Sequence, residues 1–311
     1  MIKHILITGV TGFVGQNLQR YIERFSSRQI IGISRKSGGD EIKSYQDLTP
    51  EFWNQTSAFI HLAGKAHDLK KTSEDSEYYQ VNTELTKKLF DQFLESSCET
   101  FVYMSSVKAV ADEVEGILDE SITPNPITAY GKSKLAAEEY ISNQKLPEGK
   151  RVYILRPCMI HGPANKGNLN LLYNFVSKGI PYPFGAYENQ RSFLSVENLC
   201  FVIKELIENK SIASGVYHVA DDATLSTKEL VSIIGNVVSK PAKILNTPNW
   251  LVSLIAKAGD FLPLPINTER VQKLTENYCV SNAKIKKAIG KELPLTAAEG
   301  IVKTIQSFFL K

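Results

Sequence analysis

Cysteine is scarce, with four residues in a chain of 311. Cys98, Cys158, Cys200 and Cys279 form no CxxC pair and no cluster with histidine. That pattern excludes a disulfide framework and argues against a metal site such as zinc, leaving buried, reduced thiols as the expectation. An excess of one charge is missing as well. Lys and Arg number 36 against 33 Asp and Glu, a formal net charge of +3. No basic run is dense enough to follow a phosphate backbone, which argues against a nucleic-acid partner. Nor is there a long apolar run. The stretch Trp250 to Pro265 is interrupted by Lys257, Asp260, Pro263 and Pro265, and falls short of the roughly 20 residues that span a bilayer. Its expected place is the core, rather than over a site or against a membrane-bound partner. Met1-Ile2-Lys3-His4 leads straight into a strand-like segment, so no secretory leader is expected. The expectation is a cytoplasmic protein without membrane insertion.

What is present is alternation. His4 to Thr8, Ile30 to Ile33, Ala58 to Leu62, Thr100 to Met104 and Arg151 to Leu155 read as buried strands. Helical patterns run over Phe13 to Phe25, Glu77 to Glu95 and Ala129 to Asn143. Near-continuous apolar strands separated by helices predict an α/β fold, a doubly wound parallel sheet covered on both faces. After Pro157 the texture changes to Gly, Pro and Asn over 161–192. Helices follow near Val196 to Glu208, Thr227 to Val238 and Asn249 to Ala258, with a strand at Val216 to Val219. The expected organisation is a dinucleotide-binding domain over 1–160 and a smaller α/β substrate domain over 161–311, interleaved with the first.

The strand ending at Thr8 is followed by Gly9-Val10-Thr11-Gly12-Phe13-Val14-Gly15, which opens a helix. Glycines at this spacing let a backbone approach a pyrophosphate, and the free N–H groups of the helix start bind it. The end of the second strand selects the cofactor, because NAD sites place an acid there for the ribose 2′-hydroxyl. Here the chain reads Ser34-Arg35-Lys36, with no acid until Asp40. Arg35, assisted by Ser34 or Lys36, suits a 2′-phosphate, which favours NADP(H) over NAD.

Tyr130 and Lys134 are four residues apart and therefore share one helix face. A free tyrosine, with its pKa near ~10, is a poor base at neutral pH. An adjacent ammonium stabilises the phenolate and brings it into range. Ser106, after the fourth strand, can donate a hydrogen bond to a reacting oxygen at the carboxyl edge of the sheet.

With these residues together the chain resembles the extended short-chain dehydrogenase/reductase superfamily, in its nucleotide-sugar epimerase/dehydratase branch, along essentially its whole length. The resemblance also rests on Asp47-Leu48, His61-Leu62-Ala63-Gly64, Asn82, Leu155-Arg156-Pro157, His161-Gly162-Pro163, Arg191-Ser192-Phe193 and Val196-Glu197-Asn198-Leu199. It implies a Rossmann-type domain, Tyr130 as acid/base, Lys134 tuning Tyr130 and binding the nicotinamide ribose, and Ser106 on the substrate oxygen. It further implies Asp47 and Leu48 near the adenine, Leu62, Ala63, Gly64 and Asn82 along the cofactor, and Arg191 on the diphosphate of a UDP-sugar. The helices Glu77 to Glu95 and Ala129 to Asn143 would form a homodimer bundle, with Leu85, Leu89 and Phe93 as its seam unless these pack on the sheet.

Departures narrow the reaction. Ala109-Val110-Ala111 replaces the usual Val-Tyr-Gly, Leu85 a glycine, His161 a tyrosine, and Met159 an asparagine common in 4-epimerases. His161 is expected to be packed or solvated rather than ligand-bound. A 4,6-dehydratase would carry Asp-Glu where this chain has Val107-Lys108, so that reaction is excluded. Ser105-Ser106-Val107-Lys108, His61 to His67, Gly167-Asn168-Leu169 and Gly179-Ile180-Pro181 resemble a UDP-glucose 4-epimerase-like subgroup from O-antigen and capsule clusters. Some members reduce a UDP-4-keto-6-deoxy-N-acetylhexosamine to UDP-N-acetylquinovosamine. Asn168 is then a substrate contact, and Lys108 either faces the sugar or is solvated at the crevice mouth. Three readings compete: a 4-ketoreductase, a 4-epimerase with tightly bound NAD, and a non-catalytic dinucleotide-binding regulator. The absent ribose-binding acid favours the reductase.

Overall fold

The computed structural model describes residues 3–26, 28–39, 41–65, 74–165, 168–261 and 267–309. Asp40, Ala66, His67, Gly167, Pro263, Leu264 and Pro265 lie outside them, as does the side chain of Asn168. The chain begins with β1 (His4–Thr8), α1 (Phe13–Phe25), β2 (Ile30–Ser34), β3 (Ile42–Ser44), α2 (Pro50–Asn54) and β4 (Thr56–His61). Then come α3 (Asp75–Tyr78), α4 (Leu85–Glu95), β5 (Thr100–Met104), β6 (Ile117–Leu118), α5 (Ala129–Ser142) and β7 (Arg151–Pro157). The remainder holds β8 (Met159–His161), α6 (Asn168–Ser177), β9 (Arg191–Ser195), α7 (Val196–Glu208), β10 (Gly215–Val219) and β11 (Thr224–Leu225). It closes with α8 (Thr227–Val237), α9 (Asn249–Phe261), α10 (Thr268–Thr275), β12 (Cys279–Val280), α11 (Ala283–Ile289) and α12 (Ala297–Gln306).

Seven strands form one parallel sheet in the order β10-β7-β5-β4-β1-β2-β3. β1 is buried at every position because helices cover both faces, which is why it reads as unbroken apolar sequence. On one face α1 presents Leu18 and Ile22 to the sheet and packs beside α7. On the other, Leu89, Phe90 and Phe93 of α4 and Ala137 and Ile141 of α5 meet Leu6, Phe59 and Phe101. β10, from the second half of the chain, completes the sheet beside β7. A separate apolar cluster gathers α6, α8, α9 and α12 around Leu169, Phe184, Leu230 and Ile301. The short strands β8, β9 and β11 form a small sheet, and Phe193 of β9 and Leu225 of β11 join this cluster.

Four expectations are corrected. The helix read over Glu77 to Glu95 is interrupted by a π-helical turn at Tyr79–Glu84, where Leu85 N–H bonds to Gln80 C=O. The extra residue turns Asn82 inward. Its amide donates to Lys65 C=O at 3.1 Å and Ser133 Oγ at 3.0 Å, and its Oδ1 accepts Lys65 N–H at 2.8 Å. Leu89 and Phe93 are spent on the sheet and cannot line an outer seam; Leu85 stays half-buried. The stretch from Trp250 is only partly core: α9 buries Val252 and Ala256, whereas Trp250, Leu254, Ile255 and Phe261 are exposed. Three thiols are buried and unpaired, but Cys279 is half-buried at the edge strand β12. Among the described residues no group of acidic, Cys or His side chains could hold a metal ion, and no helix is long and apolar enough to cross a membrane.

Candidate active site

Strand order reverses between β1 and β4. From β1 the chain winds outward through β2 and β3, and from β4 it winds the other way through β5, β7 and β10. The crossovers diverge there and open a crevice beyond the carboxyl ends of β1 and β4. Gly9 leaves β1 with φ +69°, and a Cβ on it would lie 2.9 Å from Ala63 N. A Cβ on Gly15 would lie 2.3 Å from Gly9 O. The glycine turn therefore rests directly on Leu62 and Ala63 and on the first turn of its own helix. Gly12 caps α1 without a side-chain bond, and the first turn contains no acid. The first helical bond runs from Gln16 N–H to Gly12 C=O at 3.0 Å, leaving the amides of Phe13, Val14 and Gly15 outside the ladder. Thr11 and Gly12 are exposed at the tip. This bare cradle fits a dinucleotide pyrophosphate.

At the end of β2 the Ser34 hydroxyl donates to Lys36 C=O, and Arg35 and Lys36 are exposed. Asp47 accepts Ser44 N–H at 2.7 Å in a reciprocal cap, and the hydrogen bonds from Ser44 hold its carboxyl below the usual range. Leu48 beside it is buried.

The three candidate catalytic residues converge. The Ser106 hydroxyl hydrogen-bonds Tyr130, and its oxygen also accepts Lys108 N–H at 3.2 Å. Burial pushes the Tyr130 phenol up, and the bond from Ser106 opposes this. Lys134 donates to Met104 C=O at 2.8 Å and lies over the Tyr103 ring at 4.9 Å. Its ammonium would be 3.0 Å from a Cβ placed on Gly64, which puts it at the crevice wall. Burial lowers its pKa to about 8, with the Glu138 carboxylate pulling the other way.

Glu138 went unremarked in the sequence, although it stands four residues beyond Lys134 and eight beyond Tyr130, on the same helical face. It is buried, accepts from Ser105 Oγ, and is clamped by Arg156 Nε at 3.1 and 3.0 Å to its two oxygens. Its spacing was the signal available to find it.

Of the candidate substrate residues, Lys108 and Arg191 have side-chain partners of their own. Lys108 donates to Asp112 C=O at 2.6 Å and sits over the Tyr278 ring at 4.3 Å, half-buried rather than free in solvent. Arg191, at the start of β9, pairs with Glu276 at 3.3 Å. Asn168 begins α6. His161 is packed and not solvated: it is buried, bonds Thr304 Oγ1 at 2.8 Å through Nδ1, and has its Nε2 3.7 Å from Asp221.

Residues 5–220 match the NAD dependent epimerase/dehydratase family. The chain belongs to this family. As a member of the extended short-chain dehydrogenases/reductases it is 32% identical to a UDP-glucose 4-epimerase of Vibrio cholerae, over 99% of this chain and 96% of that protein. It is 26% identical to a GDP-6-deoxy-D-mannose reductase of Pseudomonas aeruginosa, over 80% of this chain and 84% of that one. Its fold is similar to that of a UDP-N-acetylglucosamine 4-epimerase from Bacillus cereus, with a TM-score of 0.78 at 22% identity, covering 99% of this chain and 100% of that chain. The glycine turn and the Ser106-Tyr130-Lys134 group lie within the residues matched to the family.

Proposed function

We propose that this enzyme reduces the C4 ketone of a UDP-4-keto-6-deoxy-N-acetylhexosamine with NADPH, giving UDP-N-acetylquinovosamine or a related sugar for surface polysaccharide in the cytoplasm. The observation that carries the reading is the end of β2. Ser34 is tied to the Lys36 carbonyl, exposed Arg35 follows, and no acid stands at the strand end to take a ribose 2′-hydroxyl. Such a site suits a phosphorylated ribose and an exchangeable cosubstrate.

When bound, the reduced dinucleotide supplies the hydride. Ser106 donates its hydrogen to the ketone oxygen, its own lone pair being satisfied by Lys108 N–H. Tyr130 delivers the proton to that oxygen, and the Lys134 ammonium stabilises the phenolate left behind. Arg191 would exchange Glu276 for the substrate diphosphate, a task suited to a planar guanidinium. Lys108 and Asn168 are assigned to the sugar side. A homodimer would use the outward sides of α4 and α5.

A 4-epimerase with tightly held NAD is the second reading, favoured by the Vibrio cholerae relative at 32% identity. The purified protein is given NADPH and the UDP-4-keto sugar while nicotinamide absorbance is followed and the sugar identified. Stoichiometric NADPH loss with a 4-hydroxy product is the expected result. Interconversion of UDP-N-acetylglucosamine with its C4 epimer, without added cofactor and without NADPH loss, would replace the proposal with the epimerase. A non-catalytic regulator is separated by Tyr130→Phe: turnover should fall by about 10²–10⁴-fold with dinucleotide affinity nearly unchanged.

A further inference from the structure

His61 closes β4 with no exposed surface, outside the roles already assigned, and its ring lies between two hydroxyls. Nδ1 is 2.7 Å from Thr8 Oγ1, and Nε2 is 2.9 Å from Thr86 Oγ1. The outer partners decide which way each proton points. Thr86 Oγ1 donates to the carbonyl of Asn82 at 2.7 Å, so toward His61 it can only accept. Nε2 must therefore carry the ring proton, and Nδ1 is the bare acceptor. Thr8 Oγ1 receives Ala63 N–H at 3.0 Å and gives its own hydrogen to Nδ1. The opposite tautomer would set two lone pairs against each other at Thr86 and leave the Thr8 hydrogen without an acceptor. A doubly protonated ring would also orphan that hydrogen, inside a fully buried site.

The result is a one-directional chain: Ala63 N–H to Thr8, Thr8 to His61, His61 to Thr86, and Thr86 to Asn82 C=O. Its first end fixes the contact between the glycine turn and Ala63. Its other end is the π-helical turn, where the Asn82 side chain grips the Lys65 backbone and Ser133, one residue before Lys134. We propose that His61, neutral with its proton on Nε2, is a positioning residue that ties the cofactor-binding turn at Thr8 and Gly9 to the Lys134 wall at Asn82.

The groups facing the ring are the Thr8 and Thr86 hydroxyls, the rings of Phe59, Phe101 and Tyr103, and the charge of Lys134. None offers a negative charge. Burial and Lys134 lower the imidazole pKa to about 3, in keeping with a ring that stays neutral.

The inference rests on the crevice being a dinucleotide site, and two measurements keep the two apart. Nitrogen-15 spectra of the histidine-labelled protein, with His61 assigned by its loss in His61→Phe, should show a neutral Nε2–H ring unchanged from pH 5 to pH 9. An Nδ1–H ring, or titration within that range, overturns the proposal. Dinucleotide affinity, measured well below the unfolding transition, should weaken about tenfold in His61→Phe and less in His61→Gln, which keeps a donor toward Thr86. Thr86→Val, which breaks the chain without touching the ring, serves if His61→Phe does not fold, and should weaken affinity as well. Lowered Tm with unchanged affinity overturns the positioning role. A wild-type protein that binds neither NAD nor NADP removes the cofactor reading itself and this inference with it, while the tautomer is still read directly.

Discussion

Within the site a few buried charges set both chemistry and stability. Lys134 is almost without solvent, yet in the proposed reaction it must remain an ammonium to stabilise a Tyr130 phenolate. Because burial brings it to about 8, the charge is present below that pH and lost above it. Turnover should therefore fall along an alkaline limb near pH 8; a rate that stays flat to pH 10 would show that the Lys134 charge is not used. Glu138 moderates this effect and is itself held by Arg156 and Ser105. Glu138→Gln leaves the Arg156 cation buried without its partner, and should cost about 3–5 kcal/mol in urea unfolding. Replacing both, as Glu138→Leu with Arg156→Met, should recover part of that loss because the guanidinium leaves with its partner, while Lys134 and Ser105 still lose the carboxylate.

Among the elements, the glycine turn and the π-helical turn do the positioning. Gly15 is the tightest point of the first, since a Cβ there meets Gly9 O at 2.3 Å and Val10 Cα at 2.6 Å. These neighbours are backbone and cannot rotate aside. Gly15→Ala should destabilise the fold by about 1–3 kcal/mol and abolish dinucleotide binding, checked by denaturant unfolding and by titration with NAD and NADP. The turn was legible in the sequence because its glycines have a fixed spacing between a strand and a helix. The π-helical turn was not. It brings Asn82 to Lys65 and Ser133, 17 and 51 residues away, contacts that no local periodicity records.

For the whole molecule, the parallel sheet recruits β10 from the far half of the chain, and a separate cluster of helices stands beside it. α9 belongs to that cluster through Val252 and Ala256 only. Trp250→Gln and Leu254→Gln, on its exposed face, should change stability by no more than about 0.5 kcal/mol. Ala256→Gln, pointing inward, should lower Tm clearly; equal effects at the three positions would mean that the outer face is covered.

The sequence by itself determined strands β1, β2, β4, β5 and β7, helices α1 and α5, the glycine turn, and the Tyr130 and Lys134 pair. Each rests on residues close along the chain, where apolar periodicity and helical spacing act locally. It also showed that no acid ends β2. Tertiary structure alone decided that Ser106 reaches Tyr130, that Glu138 is braced by Arg156 below Lys134, and that Leu89 and Phe93 face the sheet. It likewise decided which face of α9 is buried and which way the protons run through His61. These depend on groups brought together from distant segments, whose burial and unmet hydrogen bonds exist only once the chain has closed around them.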